Sequence, residues 1–290
     1  MTSTTHPLDH LVLPTASLAV ARARLTSLGF IVAPTGVHPF GTENCCVFLA
    51  DGTYLEPLAV GNEQVAASAI AGGNVFVARD RLYRASLGDE GFSAVVLATD
   101  DADADHARYV SAGLSAGDVL SFSRAFTDTA GKSDMASFKL AFAAGAETMD
   151  AFLFACERIN APQIDRTALQ AHANGVTGIA EIVAVSGVPS EKRHLIETAT
   201  GSRQRSSTAF DLANARLSVL KPAAFAERFG MSAGAPTDLR FAAIVFSARS
   251  VGAVARLLAD NAVGHDIAGN EIVVQPASGQ GAAFIFRETP

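Results

Sequence analysis

Among 290 residues there are only three cysteines, two of them adjacent in the stretch ENCCVFLAD. An odd number cannot form an even framework of disulfide staples, and a strand directs Cys45 and Cys46 to opposite faces, so all three read as reduced, buried thiols. Long hydrophobic runs are lacking as well, since no apolar stretch reaches the roughly 18 residues that span a bilayer. The opening segment MTSTTHPLDH carries neither the basic nor the apolar region of a secretion signal. The expectation is a cytoplasmic protein with no membrane partner. Basic residues are few: 22 Lys and Arg stand against 29 Asp and Glu, a net charge of −7, with no cluster able to track a phosphate backbone. No nucleic-acid partner is expected. Also missing are a Gly-x-Gly-x-x-Gly turn after a strand, a P-loop of full Gly-x-x-x-x-Gly-Lys-Ser/Thr form and a Gly-x-Ser-x-Gly elbow, the signatures of dinucleotide binding, nucleotide hydrolysis and esterases.

What is present is apolar and periodic. Hydrophobic residues make up 49% of the chain, enough to bury a substantial core in one large domain or two ordinary ones. A strand-like run, an amphipathic helix ended by a glycine and further strand-like runs follow one another repeatedly. The first unit reads HLVLPT, then SLAVARARLTSLGF with Leu18, Val20, Ala21, Leu25 and Leu28 at helical spacing and Gly29 as the stop, then IVAPTGV, NCCVFLAD and TYLEPLAV. FSAVVLATD opens a second unit, IAEIVAVSG a third and LRFAAIVFSA a fourth. The step of about 20 residues from His10 to the glycine after the helix recurs from Ala94 to Gly113 and from Glu181 to Gly201.

This order predicts an α+β fold of four βαβββ modules. One helix covers one face of such a sheet, and the other face stays apolar until a second module closes on it, so modules pair. The pairs predict a first half over residues 1–160, with modules at 8–60 and 91–158, and a second half over 172–290, with modules at 177–230 and 238–288. The polar stretch at 157–176 is the expected boundary, and GNEQVAASAIAGGNVFVARDRLYRASLGDEG is expected to lay short helices over the mouth of the first pair. Asp100, Asp101, Asp103 and Asp105 fall at a helix start and read as caps, not as a calcium loop.

Two stretches, LDHLVLPTASLAVARARLTSLGF with GVHPFGTENCCVFLADGTYLEPLAV in the first module and HANGVTGIAEIVAV at the entry to the third, resemble glyoxalase-like proteins of the vicinal oxygen chelate superfamily. The resemblance implies two halves with curled mixed sheets, the second half degenerate. Each sheet forms a cup in which a divalent metal chelates neighbouring oxygens of a small organic substrate. By that resemblance His10 and Glu56 are the metal ligands and Glu56 is also the catalytic base. A nitrogen and a carboxylate oxygen suit Zn, Fe, Mn or Ni. Strand alternation puts His10 on one face with Leu8 and Val12, and Glu56 with Tyr54 and Leu58. His38, Thr42, Asn44, Tyr54 and His172 are candidates for the substrate pocket. Arg124 and Lys139 join them as donors to a substrate carboxylate or phosphate. Phe122, Phe126, Phe138, Phe142, Phe152 and Phe154 read as core.

The ligand set is incomplete, because Ala94 stands where His10 does in the first module, Phe154 and Cys156 lie on the next final strand, and Glu181 and Ala243 head the last two modules. Two function classes follow. One is a metal-dependent lyase, isomerase or dioxygenase. The other is a metal-free binding or sequestration protein, similar to bleomycin-resistance proteins, whose cup holds a small apolar ligand with His10 and Glu56 paired to each other. Exposed sheet edges at the ends of the paired modules suggest a homodimer.

Overall fold

The computed structural model describes residues 5–127, 133–145, 151–160, 165–202, 204–206, 208–234 and 238–289. Strand β1 (Leu8–Pro14) leads into α1 (Leu18–Ser27), where the Ser17 hydroxyl accepts from the Val20 amide and Gly29, at φ +84°, ends the helix. Short strands β2 (Gly36–Val37), β3 (Thr42–Asn44) and β4 (Val47–Phe48) precede the long β5 (Tyr54–Val60). Helices α2 (Glu63–Ala71) and α3 (Val75–Leu87) follow. The second module comprises β6 (Ala94–Thr99), α4 (Ala102–Ser111), β7 (Leu120–Thr127), β8 (Ser133–Ala143) and β9 (Phe152–Asn160). Asp101 caps α4 by accepting from the Ala104 amide.

A short α5 (Thr167–Gln170) precedes the third module: β10 (Val176–Val185), α6 (Arg193–Thr200), β11 (Gln204–Ser206), β12 (Ala209–Asp211) and β13 (Arg216–Leu220), with α7 (Pro222–Phe229) after it. The fourth is β14 (Arg240–Ala248), α8 (Val251–Asp260), β15 (Asp266–Ala268), β16 (Glu271–Val274) and β17 (Ala283–Glu288). The strands form a nine-stranded sheet, ordered β2-β3-β5-β1-β6-β9-β8-β7 with β4 also on β5, and an eight-stranded sheet, ordered β11-β12-β13-β10-β14-β17-β16-β15. In every module the first and last strands run parallel, while paired modules meet through antiparallel first strands, β1 on β6 and β10 on β14. This is the mixed α+β architecture of two curled sheets that the module order predicts.

One face of each sheet belongs to a common core. Leu11, Leu13, Val95 and Leu97 of the first sheet and Ile182, Ala184, Phe246 and Phe284 of the second share one cluster with Leu25 of α1, Tyr109 of α4, Ile196 of α6 and Leu258 of α8. Phe30 sits within it, its ring centroid 5.5 Å from Phe246, 6.2 Å from Phe284 and 6.3 Å from Phe286. The opposite faces are separate. Val12, Leu58, Ala94, Val96 and Phe154 pack beneath Ala66, Phe76 and Val77 of α2 and α3, whereas Val183, Val185, Val245 and Ile285 pack beneath Phe225 and Phe229 of α7.

The segment joining the halves grips the β4–β5 hairpin. His172 donates through Nε2 to the Phe48 carbonyl (2.9 Å) and accepts at Nδ1 from the Ile31 amide (3.0 Å); Gln170 donates to the Leu49 carbonyl. Asp51 receives the Ile179 amide and gives its own amide to the Thr177 carbonyl. Gly178 sits where any Cβ would collide with the Asp51 carboxylate.

Local detail departs from the sequence expectation in three places. Leu8 joins the common core instead of sharing the cup face with His10, because Asn214 from the second half takes both its N–H and its C=O and the pairing with β6 slips between Leu8 and His10. NCCVFLAD is two short strands, with Cys45 and Cys46 between them. Helix α7 arises after KP, whose proline suits a first helical position. No helix among the described residues is long and apolar enough to cross a membrane.

Because both sheets close on one core, Phe30→Ala should lower stability by about 3–5 kcal/mol in a single urea transition for the whole chain. Two separated transitions, followed by probes in each half, would contradict the common core.

Candidate functional site

The first cup holds a half-open pocket lined by His10, His38, Tyr54, Glu56, Arg124 and Cys156 together with Phe40, Phe76, Phe122, Phe138, Leu140 and Phe154. Register delivers most of these side chains. His10 and Val12 point to the cup from β1, Tyr54 and Glu56 from β5, Phe154 and Cys156 from β9, and Phe122, Arg124, Phe138 and Leu140 from the β7–β8 pair. Phe76 enters from α3 above.

At one end of the cavity the polar groups are organised around a carboxylate. The Glu56 Oε2 atom is 3.3 Å from His10 Nε2, and Oε1 accepts from Asn44 Nδ2 at 2.6 Å and lies 3.6 Å from His38 Nε2. His10 Nδ1 donates to Asp9 Oδ2 at 2.6 Å, and Arg158 grips both Asp9 oxygens at 2.6 and 2.8 Å. The Tyr54 ring stacks on His10 with centroids 4.3 Å apart. His38 Nδ1 is 2.9 Å from the Thr42 hydroxyl.

These contacts set the charges. Burial works against a charged His10, but hydrogen bonds to Asp9 and Glu56 and their negative charges outweigh it and hold the imidazole above its ordinary 6.5. Burial would raise Glu56, yet its bond to His10 and the imidazolium charge bring it to about 2. Burial dominates at His38 and pushes it down to about 4 against the pull of Glu56, so this ring is neutral near pH 7. Cys156 is pushed up by burial and remains a thiol.

Of the residues expected at the site, His10, His38, Tyr54, Glu56 and Arg124 line the cavity; Thr42 and Asn44 stand directly behind, holding His38 and Glu56. Lys139 does not line it: it leaves the opposite face of β8 and pairs with Asp103 on α4. His172 does not line it either, being engaged in the joint between the halves. Phe122, Phe138 and Phe154, expected as core, are cavity wall, while Phe142 and Phe152 are core; the Phe126 side chain lies outside the described residues. Asp9 and Arg158 escaped the sequence reading. The adjacency of Asp9 to His10 was a signal, but its pairing with Arg158 spans 149 positions.

Among the described residues no group of three or more His, Cys, Asp or Glu side chains is arranged to hold a metal ion. His10, His38 and Asn44 are turned to the Glu56 carboxylate itself and not to a shared point beyond it. The equivalent positions of the second module are Ala94 and Phe154, which offer no donor. As arranged, the residues do not fit a complete chelate.

The second cup carries a different solution at the same register. Glu181 pairs with Arg216 across β10–β13 as His10 pairs with Tyr54, and Ser218 stands where Glu56 does. The Glu181 carboxylate accepts from Arg228 of α7 at 2.9 and 2.7 Å, from Ser218 at 2.7 Å and from Arg287 at 3.3 Å. Burial opposes its charge, but these donors bring it to about 2.

A family model described as a glyoxalase-like domain matches residues 8–200. No curated protein matches the chain in sequence. Solved structures do match. A hypothetical protein from Staphylococcus aureus is 13% identical, with 98% of this chain and 99% of that one covered and a TM-score of 0.66. A triple mutant of 4-hydroxymandelate synthase from Streptomyces coelicolor is 12% identical, with 98% and 93% covered and a TM-score of 0.60. An Mn(II)-bound glyoxalase from Novosphingobium aromaticivorans is 13% identical, with 99% and 83% covered and a TM-score of 0.50. At these identities the likeness is one of fold.

The three buried groups titrate in separate windows. His10, with its raised pKa, contributes stability below 6.5 that is lost as pH rises through its folded value; Glu56 contributes above 4.5 and loses it as pH falls toward about 2. His38 refuses a proton that the unfolded chain binds between 6.5 and about 4, so stability falls as pH drops through that window, by up to about 3 kcal/mol. Imidazole NMR should show His38 neutral at pH 5, and His38→Gln should remove the stability loss between pH 6.5 and 4. A His38 midpoint near 6.5 would refute the assignment.

Proposed function

Because the chain belongs to the glyoxalase-like domain family, we propose that its first cup is a binding site for one small, largely apolar molecule, in which His10 and Glu56 are paired to each other and no metal is needed to hold the ligand. The reading is of a binding or sequestration protein. The observation that carries it is the engagement of both Glu56 oxygens, by His10, Asn44 and His38, opposite apolar residues at the two positions from which the partner module would have to supply ligands. An ionised carboxylate in an apolar pocket is costly alone, and the imidazolium held by Asp9 compensates it without an ion.

The rest of the cavity suits binding by contact. Five phenylalanines supply the walls of a pocket that also carries a few convergent polar groups, the make-up of a small-molecule site. Stacking of Tyr54 on His10 and the Asp9–Arg158 pair fix the polar end, so that little ordering remains to oppose association.

A metal-dependent lyase, isomerase or dioxygenase is the competing reading. What favours it is the grip of Asp9 on His10 Nδ1, since a carboxylate behind an imidazole is a common way to orient a metal ligand. The donor set as arranged does not support it.

Elemental analysis of protein purified without chelator, beside His10→Ala and Glu56→Ala, separates the two. The expected outcome is no stoichiometric Zn, Fe, Mn or Ni in any of the three, even after reconstitution, with neutral aromatic fragments such as indole bound by the unmodified chain. Near-stoichiometric metal, lost in both variants, would overturn the proposal.

A further inference from the structure

Around the first cup the two buried acids are matched, while two partly buried arginines are not hydrogen-bonded to an acid. Asp9 is held by Arg158 and His10, and Glu56 by His10 and Asn44. Arg124 lines the same cavity, its guanidinium 5.9 Å from the Phe138 ring centroid; among the described residues it makes no side-chain hydrogen bond or close ion pair, and its charge acts on Glu56 only through space. It faces Ala136 across the β7–β8 pair, a small side chain that leaves the guanidinium room on the cup face. A second cation lies nearby. Arg166 stacks 4.2 Å above the Phe48 ring, which packs 5.4 Å from Tyr54, and among the described residues it too has no acidic partner.

A guanidinium partly withdrawn from water into a wall of phenylalanines has given up hydration without gaining an acceptor, and a bound anion relieves that cost. Its fork of donors matches the two oxygens of a carboxylate. Glu56 in the same cavity sets the upper limit on charge, because it repels a ligand bearing several negative groups. We propose that the ligand is a monocarboxylic acid with an aromatic or branched apolar body, its carboxylate on Arg124 and its body among Phe40, Phe76, Phe122, Phe138 and Phe154. This rests on the reading of the cup as a small-molecule site and adds the charge and shape of its ligand.

Calorimetric titration of the full chain with phenylacetate and with phenylacetamide, and with 4-methylpentanoate and its amide as a branched pair, tests the assignment. At least one acid should bind roughly 30- to 100-fold more tightly than its amide, the range expected of a charge-assisted bidentate contact. Arg124→Gln should abolish that preference with little change in amide affinity, while Lys139→Gln, on the outer face of β8, should leave both unchanged. Thermal melts verify that each variant is folded. Equal binding of acid and amide, an acid preference that survives Arg124→Gln, or binding of neutral indole without either acid would overturn the carboxylate assignment and leave the cup reading standing. No binding of any probe would overturn both.

Discussion

Burying one face of each curled sheet in a common hydrophobic layer leaves the other two faces free to differ. Leu11 and Leu13 on one side, Phe246 and Phe284 on the other, and the helices α1, α4, α6 and α8 form a continuous interior. Such an interior is dense and tolerates little change. The cup faces have no such obligation to each other. Each must satisfy only its own strands and whatever covers its mouth, and the two mouths are covered by unrelated sequences, α2 and α3 in one case and α7 in the other.

That freedom is visible in how each cup handles a buried carboxylate. In the first, Glu56 lies against one nitrogen of the His10 imidazole while the other nitrogen donates to Asp9, and the surrounding phenylalanines line a cavity. In the second, Glu181 is neutralised by Arg228 and Arg287, and the helix that brings Arg228 also brings Phe225 and Phe229 to pack over the sheet. Guanidinium donors satisfy a carboxylate without help from a ligand. A short imidazole at the start of a strand leaves space beside it.

The module order was legible in the sequence because strands, helices and the glycines that end them leave a local periodic trace, and β1, α1, β5 and β6 fall where that trace puts them. Period-two alternation also put Tyr54 and Glu56 on one face. What alternation cannot see is a partner from far along the chain. Asn214 pulls Leu8 out of register, Arg158 completes the Asp9 side of the site, and His172 turns away from the pocket to bond the Phe48 carbonyl. Arg124 and Lys139 looked equivalent as cations on alternating strands, and only the pairing of β7 with β8 and the nearness of Asp103 sends one inward and the other out. Helix α7 escaped notice for a different reason: AAFAERF is too short to show a helical period convincingly beside the strand that precedes it.

The joint between the halves gives the second half a bearing on the first cup that its own charge-paired sheet face would not suggest. His172, Gln170 and the start of β10 all fasten to the hairpin that ends in Tyr54 and Glu56. The strand presenting the carboxylate is thus anchored at its entrance by residues from beyond the first sheet, as a beam is held by its abutment. An isolated first half would keep every residue of the cavity wall and the pairing of β5 with β1 and β3, and would lose the contacts that pin the turn before Tyr54.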